Sequence, residues 1–227
     1  MKQPRVKRGP GPKSRLTKGT YRKKALKFLV ADFEGRCAYC LDPSEFRHPS
    51  QSQVDHFDCK LRERVRHQYR NLMLACSACN HTKHDKPVVN PFEHAQRLLN
   101  CTEENEFPEH IIETPDGQWH PASRAAEYHL ACIGLREGSH QAKRSSRRQA
   151  AHQILSLLKE AVHYRHANPA SLHNQVMDTI SVFLAQLDAF PPLVTEHGVQ
   201  SVRDWLVSQG IERSFIDTLS APPPTNS

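Results

Sequence analysis

Two Cys-x-x-Cys pairs, Cys37-Ala-Tyr-Cys40 and Cys76-Ser-Ala-Cys79, constrain this chain more than any other feature. Each pair supplies two corners of a tetrahedron, so together they complete a closed four-cysteine zinc site. A closed site is structural, because no position is left for a water nucleophile. Zinc ribbons that only bind usually leave ~15–20 residues between their pairs. Here 35 residues intervene, enough for a hairpin and an approach loop. That interval holds Val54-Asp55-His56-Phe57 and Asn71-Leu72-Met73-Leu74, and Asn80-His81-Thr82-Lys83 directly follows the last cysteine. Chemistry must then come from other side chains, and Asp55, His56 and Asn80 are of the right types.

Hydrolysis of a phosphodiester needs a base to deprotonate water and a cation to absorb charge on the phosphate. A neutral imidazole suits the first task near pH 7. Carboxylate and amide oxygens suit Mg²⁺, which keeps most of its waters. In a strand, Asp55 and His56 point to opposite faces, so a bulge or twist must reconcile their roles. Asn80 abuts a zinc ligand, and the structural metal would fix its place. Taken alone, Asp55-His56 also reads as a surface pair on a half-buried strand, and Asn71 as a turn residue.

The order Cys-x-x-Cys, apolar-Asp-His, Asn-Leu-x-Leu, Cys-x-x-Cys-Asn-x-x-Lys resembles the HNH, or ββα-metal, nuclease family over roughly residues 36–86. Asn80 stands where the family name has histidine, and Asp58-Cys59-Lys60 replaces a common Pro-x-Ser. Neither change removes a needed functional group. The resemblance implies an α+β protein: a zinc-stapled ββα-metal (HNH) nuclease core with a mainly α-helical C-terminal region. It implies a Mg²⁺- or Mn²⁺-dependent endonuclease acting on DNA. His56 would be the general base, Asp55 and Asn80 the ligands of the catalytic ion, and Asn71 a positioning residue bonded to the hairpin backbone. Cys37, Cys40, Cys76 and Cys79 would hold structural Zn²⁺. Such a core followed by Gly134-Leu135 and the Arg-rich stretch 144–148 loosely resembles Septu-type and retron-associated effector nucleases of bacterial anti-phage systems. That likeness implies an ATPase subunit docked on the C-terminal helices. Two rival readings stand beside this one: a non-catalytic zinc-containing nucleic-acid-binding or scaffold protein, and an HNH nuclease acting on RNA.

The net charge of +7 is unevenly distributed. Residues 1–24 hold ten Lys/Arg and no acid, whereas the remaining 203 hold 21 basic and 24 acidic groups. Residues 1–19, with Pro4, Gly9, Pro10, Gly11 and Pro12, read as a basic flexible arm suited to a phosphate backbone or to solubility. Lys60, Arg62, Arg64, Arg66 and Arg70, set against Glu63, and then Lys83, are the other candidate nucleic-acid contacts, with a solvated loop as the rival reading. His84 shares a helical face with Asn80 and reads either as a site residue or as an exposed polar one. Cys59 could be a further sulfur ligand or a buried thiol. With Cys101 and Cys132 it makes three free thiols, which points to a reducing cytoplasm. No apolar run approaches the ~20 residues of a membrane span, and no secretory signal is evident.

Periodicity predicts helices over 20–33, 77–86, 91–99, 123–135, 139–166, 176–187, 199–208 and 211–219. Strands are predicted over 53–57 and 71–75, and a hairpin over 109–120 about Pro115-Asp116-Gly117. Lys143, Arg144, Arg147 and Arg148 give the 139–166 helix a basic face, read as solvated or as a second phosphate contact. The expected division is an arm (1–19), a nuclease domain (20–100), a mainly helical region (101–220) and a disordered tail (221–227).

Overall fold

Leu72, Met73, Leu74 and Ala75 are apolar at every position, so a strand built from them must be covered on both faces. In the computed structural model, which describes residues 4–42, 52–167, 193–195, 198–214 and 216, this strand is buried throughout. It is β2 (Leu72–Ala75), paired antiparallel with β1 (Gln53–His56) so that Asp55 faces Met73 and His56 faces Leu72. Helix α1 (Tyr21–Asp32) packs on both strands through Ala25 and Leu29. The outward carbonyls of β2 are also used. Leu74 O accepts from Ala38 N at 2.8 Å, and Leu72 O accepts from the Arg8 guanidinium, so both outward carbonyls are taken.

Between the strands the chain makes a short helix α2 (Glu63–Arg66) and a 3₁₀ turn (Tyr69–Asn71). After β2 comes α3 (Ser77–Lys83), capped by the Cys76 sulfur, which accepts from Cys79 N at 3.4 Å. This is the strand, strand, helix order anticipated above.

The helix expected over 91–99 is instead a hairpin of β3 (Val89–Asn90) and β4 (Glu93–Arg97). Asn90 Oδ1 accepts from Phe92 N at 3.0 Å, closing a turn about Pro91 that sends the chain back on itself. The next hairpin, β5 (Ile111–Glu113) and β6 (Trp119–Pro121), lies where it was expected. Helix α4 (Arg124–Ile133) then packs along β4 and beside α3, and α5 (Gly138–Ala167) follows. A hairpin of β7 (Leu193–Thr195) and β8 (Gly198–Gln200) precedes α6 (Val202–Ser208), so strand replaces helix at the start of the span 199–208. The helix expected over 176–187 and the tail over 221–227 lie outside the described residues.

Three expectations of organisation change. The first core runs without interruption from Val6 through Leu99, Cys101, Phe107 and Trp119 to Leu135, so the expected boundary at residue 100 cuts through it. The arm is not free over residues 5–11. Val6 is in the core with its N–H on Cys101 O at 2.9 Å, and the Arg5 guanidinium binds both carboxylate oxygens of Glu106 at 2.9 Å. Arg144, Arg147 and Arg148 of the basic face of α5 turn inward to partners within the fold, whereas Lys143 stays exposed and pairs with Asp42 at 3.0 Å. Glu113 accepts from Arg147 at 3.0 Å, from Arg148, and from Trp119 Nε1 at 2.7 Å. The Arg144 guanidinium lies 4.4 Å from the Trp119 ring and donates to Gly117 O and Leu135 O. Gly117 sits at φ +81°, and a Cβ there would stand 2.7 Å from the Ser145 backbone, which is why the hairpin turn can lie against α5. Further along, Ala151, Ile154, Leu155 and Leu158 of α5 form a second core with Leu193, Val202, Trp205 and Leu206.

Candidate functional site

The cysteines meet because β1–β2 pairing brings the start of α3 beside the turn that follows α1. The sulfurs of Cys37, Cys40, Cys76 and Cys79 all lie within 4.8 Å of one another and all four residues are buried. A tetrahedron with ~2.3 Å zinc–sulfur bonds has sulfur–sulfur edges of about 3.8 Å, and Cys40 and Cys76 are 3.8 Å apart. Cys76 N donates to the Cys37 sulfur at 3.4 Å. His140 of α5 reaches the cluster as well, its Nε2 3.9 Å from the Cys79 sulfur. The donor set and its spacing fit Zn²⁺. Cys59 is half-buried and outside the cluster, and Cys101 is buried in the first core.

Strand alternation then sets the rest. Gln53 and Asp55 turn toward α3: Asn80 Nδ2 donates to Gln53 Oε1, and Lys83 Nζ lies 3.0 Å from Asp55 Oδ2. Asp55 is buried and also accepts from the Tyr39 hydroxyl. Burial raises the Asp55 carboxyl above its ordinary value, and Lys83 and the Tyr39 hydroxyl pull it partly back. Burial, followed by the charge of Asp55, pushes the Tyr39 hydroxyl well up and keeps it a donor. Lys83 corrects the expectation of a phosphate contact. Its side chain is 0% exposed, and Nζ is shared between Asp55 and His56 O, the latter at 2.8 Å.

His56 turns the other way, toward α1. Its Nε2 is 3.0 Å from His67 Nδ1, and Tyr21 lies against both rings with centroids 4.7 and 4.9 Å away. Burial, then the neighbouring His67, Arg66 and Lys83, push the His56 imidazole down to about 4. The ring is therefore neutral at pH 7. Asn71 ties the intervening loop to the strands. Its Oδ1 accepts from Asp58 N at 2.9 Å, and its Nδ2 donates to Asp58 O and Arg66 O at 3.0 and 2.9 Å.

Among the basic candidates, Arg62, Arg64 and Arg70 are exposed. Lys60 pairs with Asp85 at 3.2 Å on the surface, and Arg66 Nε donates to Leu61 O at 3.0 Å. His84 ends α3 with a largely exposed side chain, its Nδ1 3.1 Å from Asp85. Sequence reasoning passed over Tyr21, Tyr39, Gln53, His67 and His140. Gln53 shares a strand face with Asp55, an i,i+2 signal the sequence does offer. Tyr21, Tyr39, His67 and His140 reach the site through contacts that local spacing does not mark.

Residues 37–86 match the family model for HNH endonuclease. That span contains both cysteine pairs, the β1–β2 hairpin and α3. No curated protein matches the chain. Residues 37–86 of this α+β protein are therefore similar to an HNH endonuclease domain, with the four cysteines clustered as a zinc site would need.

Proposed function

We propose that this protein is a divalent-metal-dependent endonuclease that hydrolyses DNA phosphodiester bonds, with His56 as general base. The observation that carries the reading is the His56–His67 contact at 3.0 Å. When Nε2–H of His56 donates to His67 Nδ1, the lone pair of His56 resides on Nδ1, the nitrogen that takes a proton from water. Tyr21 and His67 together hold the ring against rotation. Its low proton affinity keeps it unprotonated, and an anionic phosphate alongside draws that affinity back up.

Asp55 and Asn80 would hold Mg²⁺ or Mn²⁺. Both lie on the seam between β1 and α3, and with Nδ2 donated to Gln53 the Asn80 amide presents Oδ1 for an ion. A bound ion would neutralise charge on the scissile phosphate and its departing oxygen. Asn71 positions the loop that carries His67. The reading extends to a cytoplasmic effector of anti-phage defence working with an ATPase subunit, a role that rests on the order of domain and helices alone.

One observation favours a second reading, a non-catalytic zinc-containing nucleic-acid-binding module: Asp55 is already neutralised by Lys83 in a buried pair. Plasmid nicking and linearisation with Mg²⁺ or Mn²⁺, run beside His56→Ala protein, separates the two. Cleavage by the wild type alone establishes the nuclease. Absence of cleavage by zinc-loaded protein that still binds plasmid means a binding module or a nuclease awaiting its partner, and turns the search to that partner. A labelled RNA in the same assay decides the nucleic-acid class.

A further inference from the structure

The basic N-terminal segment divides into an anchored part and a presented part. Arg5 and Arg8 face inward. Arg8 lies between the Phe33 and Tyr69 rings, 5.3 and 5.2 Å from their centroids, and donates to Leu72 O. Gly9 N donates to Asp32 Oδ1 at 3.1 Å, and the Tyr69 hydroxyl donates to Asp32 Oδ2 at 2.6 Å. Gly11 rests on the Tyr69 ring at φ +67°, where a Cβ would come within 2.5 Å of the ring carbons. Residues 5–11 thus form a strap whose Arg5 and Arg8 are turned to partners within the fold.

Beyond Gly11 the segment changes character. Residues 12–16 form one wall of a groove of about 720 Å³ whose far wall includes Arg64, His67 and Tyr69. Residues 12–14 also line a second groove of about 740 Å³, together with Lys23, Lys24 and Lys27 of α1. From residue 12 to residue 28 there are seven Lys/Arg and no acid, all seven are exposed, and none forms an ion pair among the described residues. Five of them, Lys13, Arg15, Lys23, Lys24 and Lys27, line the two grooves, and like charges so placed favour a polyanion lying among them. His67 is among the residues lining the first groove, and it is 3.0 Å from the candidate base His56.

We propose that these grooves are a phosphate track, holding the sugar–phosphate backbone of the nucleic-acid substrate and delivering it to His56. The inference rests on the nuclease reading for its destination, though not for its ligand. The track is sequence-independent, because its lining offers point charges rather than a fixed pattern of base contacts. The strap makes it a fixed surface, so that little ordering accompanies binding.

The test measures binding of a labelled 30-base-pair DNA duplex to full-length zinc-loaded His56→Ala protein between low and moderate salt. In that background Lys13→Glu/Arg15→Glu/Lys24→Glu is compared with Lys7→Glu, a single reversal on the strap outside both grooves. Gly11→Val moves the wall without changing charge. The triple variant is expected to lose at least ~30-fold in affinity and to flatten the salt slope by about 2–3, near 0.9 for each phosphate no longer neutralised. Gly11→Val is expected to weaken binding about threefold to tenfold, and Lys7→Glu by less than about threefold. Equal losses in Lys7→Glu and the triple variant, or an unchanged slope, overturn the track. So does poly-glutamate displacing the duplex at lower charge concentration than unlabelled DNA does. Cleavage by protein with an intact His56 is scored separately. A cleaving protein indifferent to the triple change refutes the track and leaves the nuclease standing. A track-dependent binder that never cleaves refutes the nuclease and leaves the track.

Discussion

Replacing Lys83 with methionine removes a buried ammonium while keeping most of its apolar stem. In the native fold Nζ sits 3.0 Å from Asp55 Oδ2, 3.3 Å from Oδ1 and 2.8 Å from His56 O, with the side chain fully covered. Its loss strands a carboxylate left with the Tyr39 hydroxyl and the His56 backbone as polar neighbours. Breaking such a pair costs ~3–5 kcal/mol, because the surviving charge is left in a poor solvent. That is two to four orders of magnitude in the folding equilibrium, at ~1.4 kcal/mol per tenfold. Asp55→Asn alone strands the lysine and should cost a similar amount. The double variant carries no charge there and should recover most of the loss, giving a coupling energy above ~2 kcal/mol. Urea unfolding of zinc-loaded protein, followed by Trp119 fluorescence in a Trp205→Phe background, reads all four corners of the cycle. Acidification supplies a second check. Burial already raises the folded Asp55 carboxyl, and losing Lys83 raises it further. Stability then falls as pH rises from the unfolded carboxylate value of ~3.9 through the folded one. The deficit of Lys83→Met should therefore be largest at pH 7 and shrink toward pH 4.5. A loss below ~1 kcal/mol at pH 7, or additive single effects, would show that the pair is not the buried unit described.

Cys76→Ala removes a zinc ligand and the sulfur that caps α3. It should release zinc and unfold the 37–86 region, since structural zinc contributes on the order of 10 kcal/mol. Stoichiometric zinc with an unchanged unfolding midpoint would refute the four-cysteine site. His67→Ala should lower nicking by ~10-fold or more with KM nearly unchanged, whereas His67→Asn, whose amide oxygen can stand where Nδ1 stands, should restore most of the rate. Equal activity in the two variants would remove His67 from the positioning role. Burial pushes His129 down to about 3, and its Nδ1 accepts from Leu99 N at 3.1 Å, so the folded ring is neutral. The unfolded ring takes up a proton below ~6.5, hence stability present above that pH is lost as pH falls toward 3, by up to ~1.4 kcal/mol per unit. His129→Asn should flatten that limb in denaturation measured from pH 6.5 to 4.5, and an unchanged limb would assign it to other groups.

Local spacing alone carried a good part of this protein. Two cysteine pairs at a fixed interval announce a metal tetrahedron whatever surrounds them, because four thiolates in reach of one another have few other uses. The run 72–75, apolar at every position, announces a strand covered on both sides, and the stripe Ala151, Ile154, Leu155 and Leu158 announces a packed helix. Asn71 and Asn80 adjoin those landmarks and Asp55-His56 falls in the interval between the cysteine pairs, which is how the sequence nominates them. What tertiary structure alone decided is where each charge goes. Lys83, Arg5, Arg8, Arg144 and Arg147 are indistinguishable in sequence from solvated cations. Each turns into the fold, where a long-range partner stands opposite it: Asp55, Glu106, Leu72 O, Gly117 O or Glu113. His67 enters the site for the same reason, across a loop whose path Asn71 fixes. The hairpin at 89–97 shows the converse, a helical texture overruled by a turn at Asn90 and Pro91. Covalent order determines which side chains are near in the chain. Burial and the electrostatics of desolvation determine which cations face inward, and so which are left to face a phosphate.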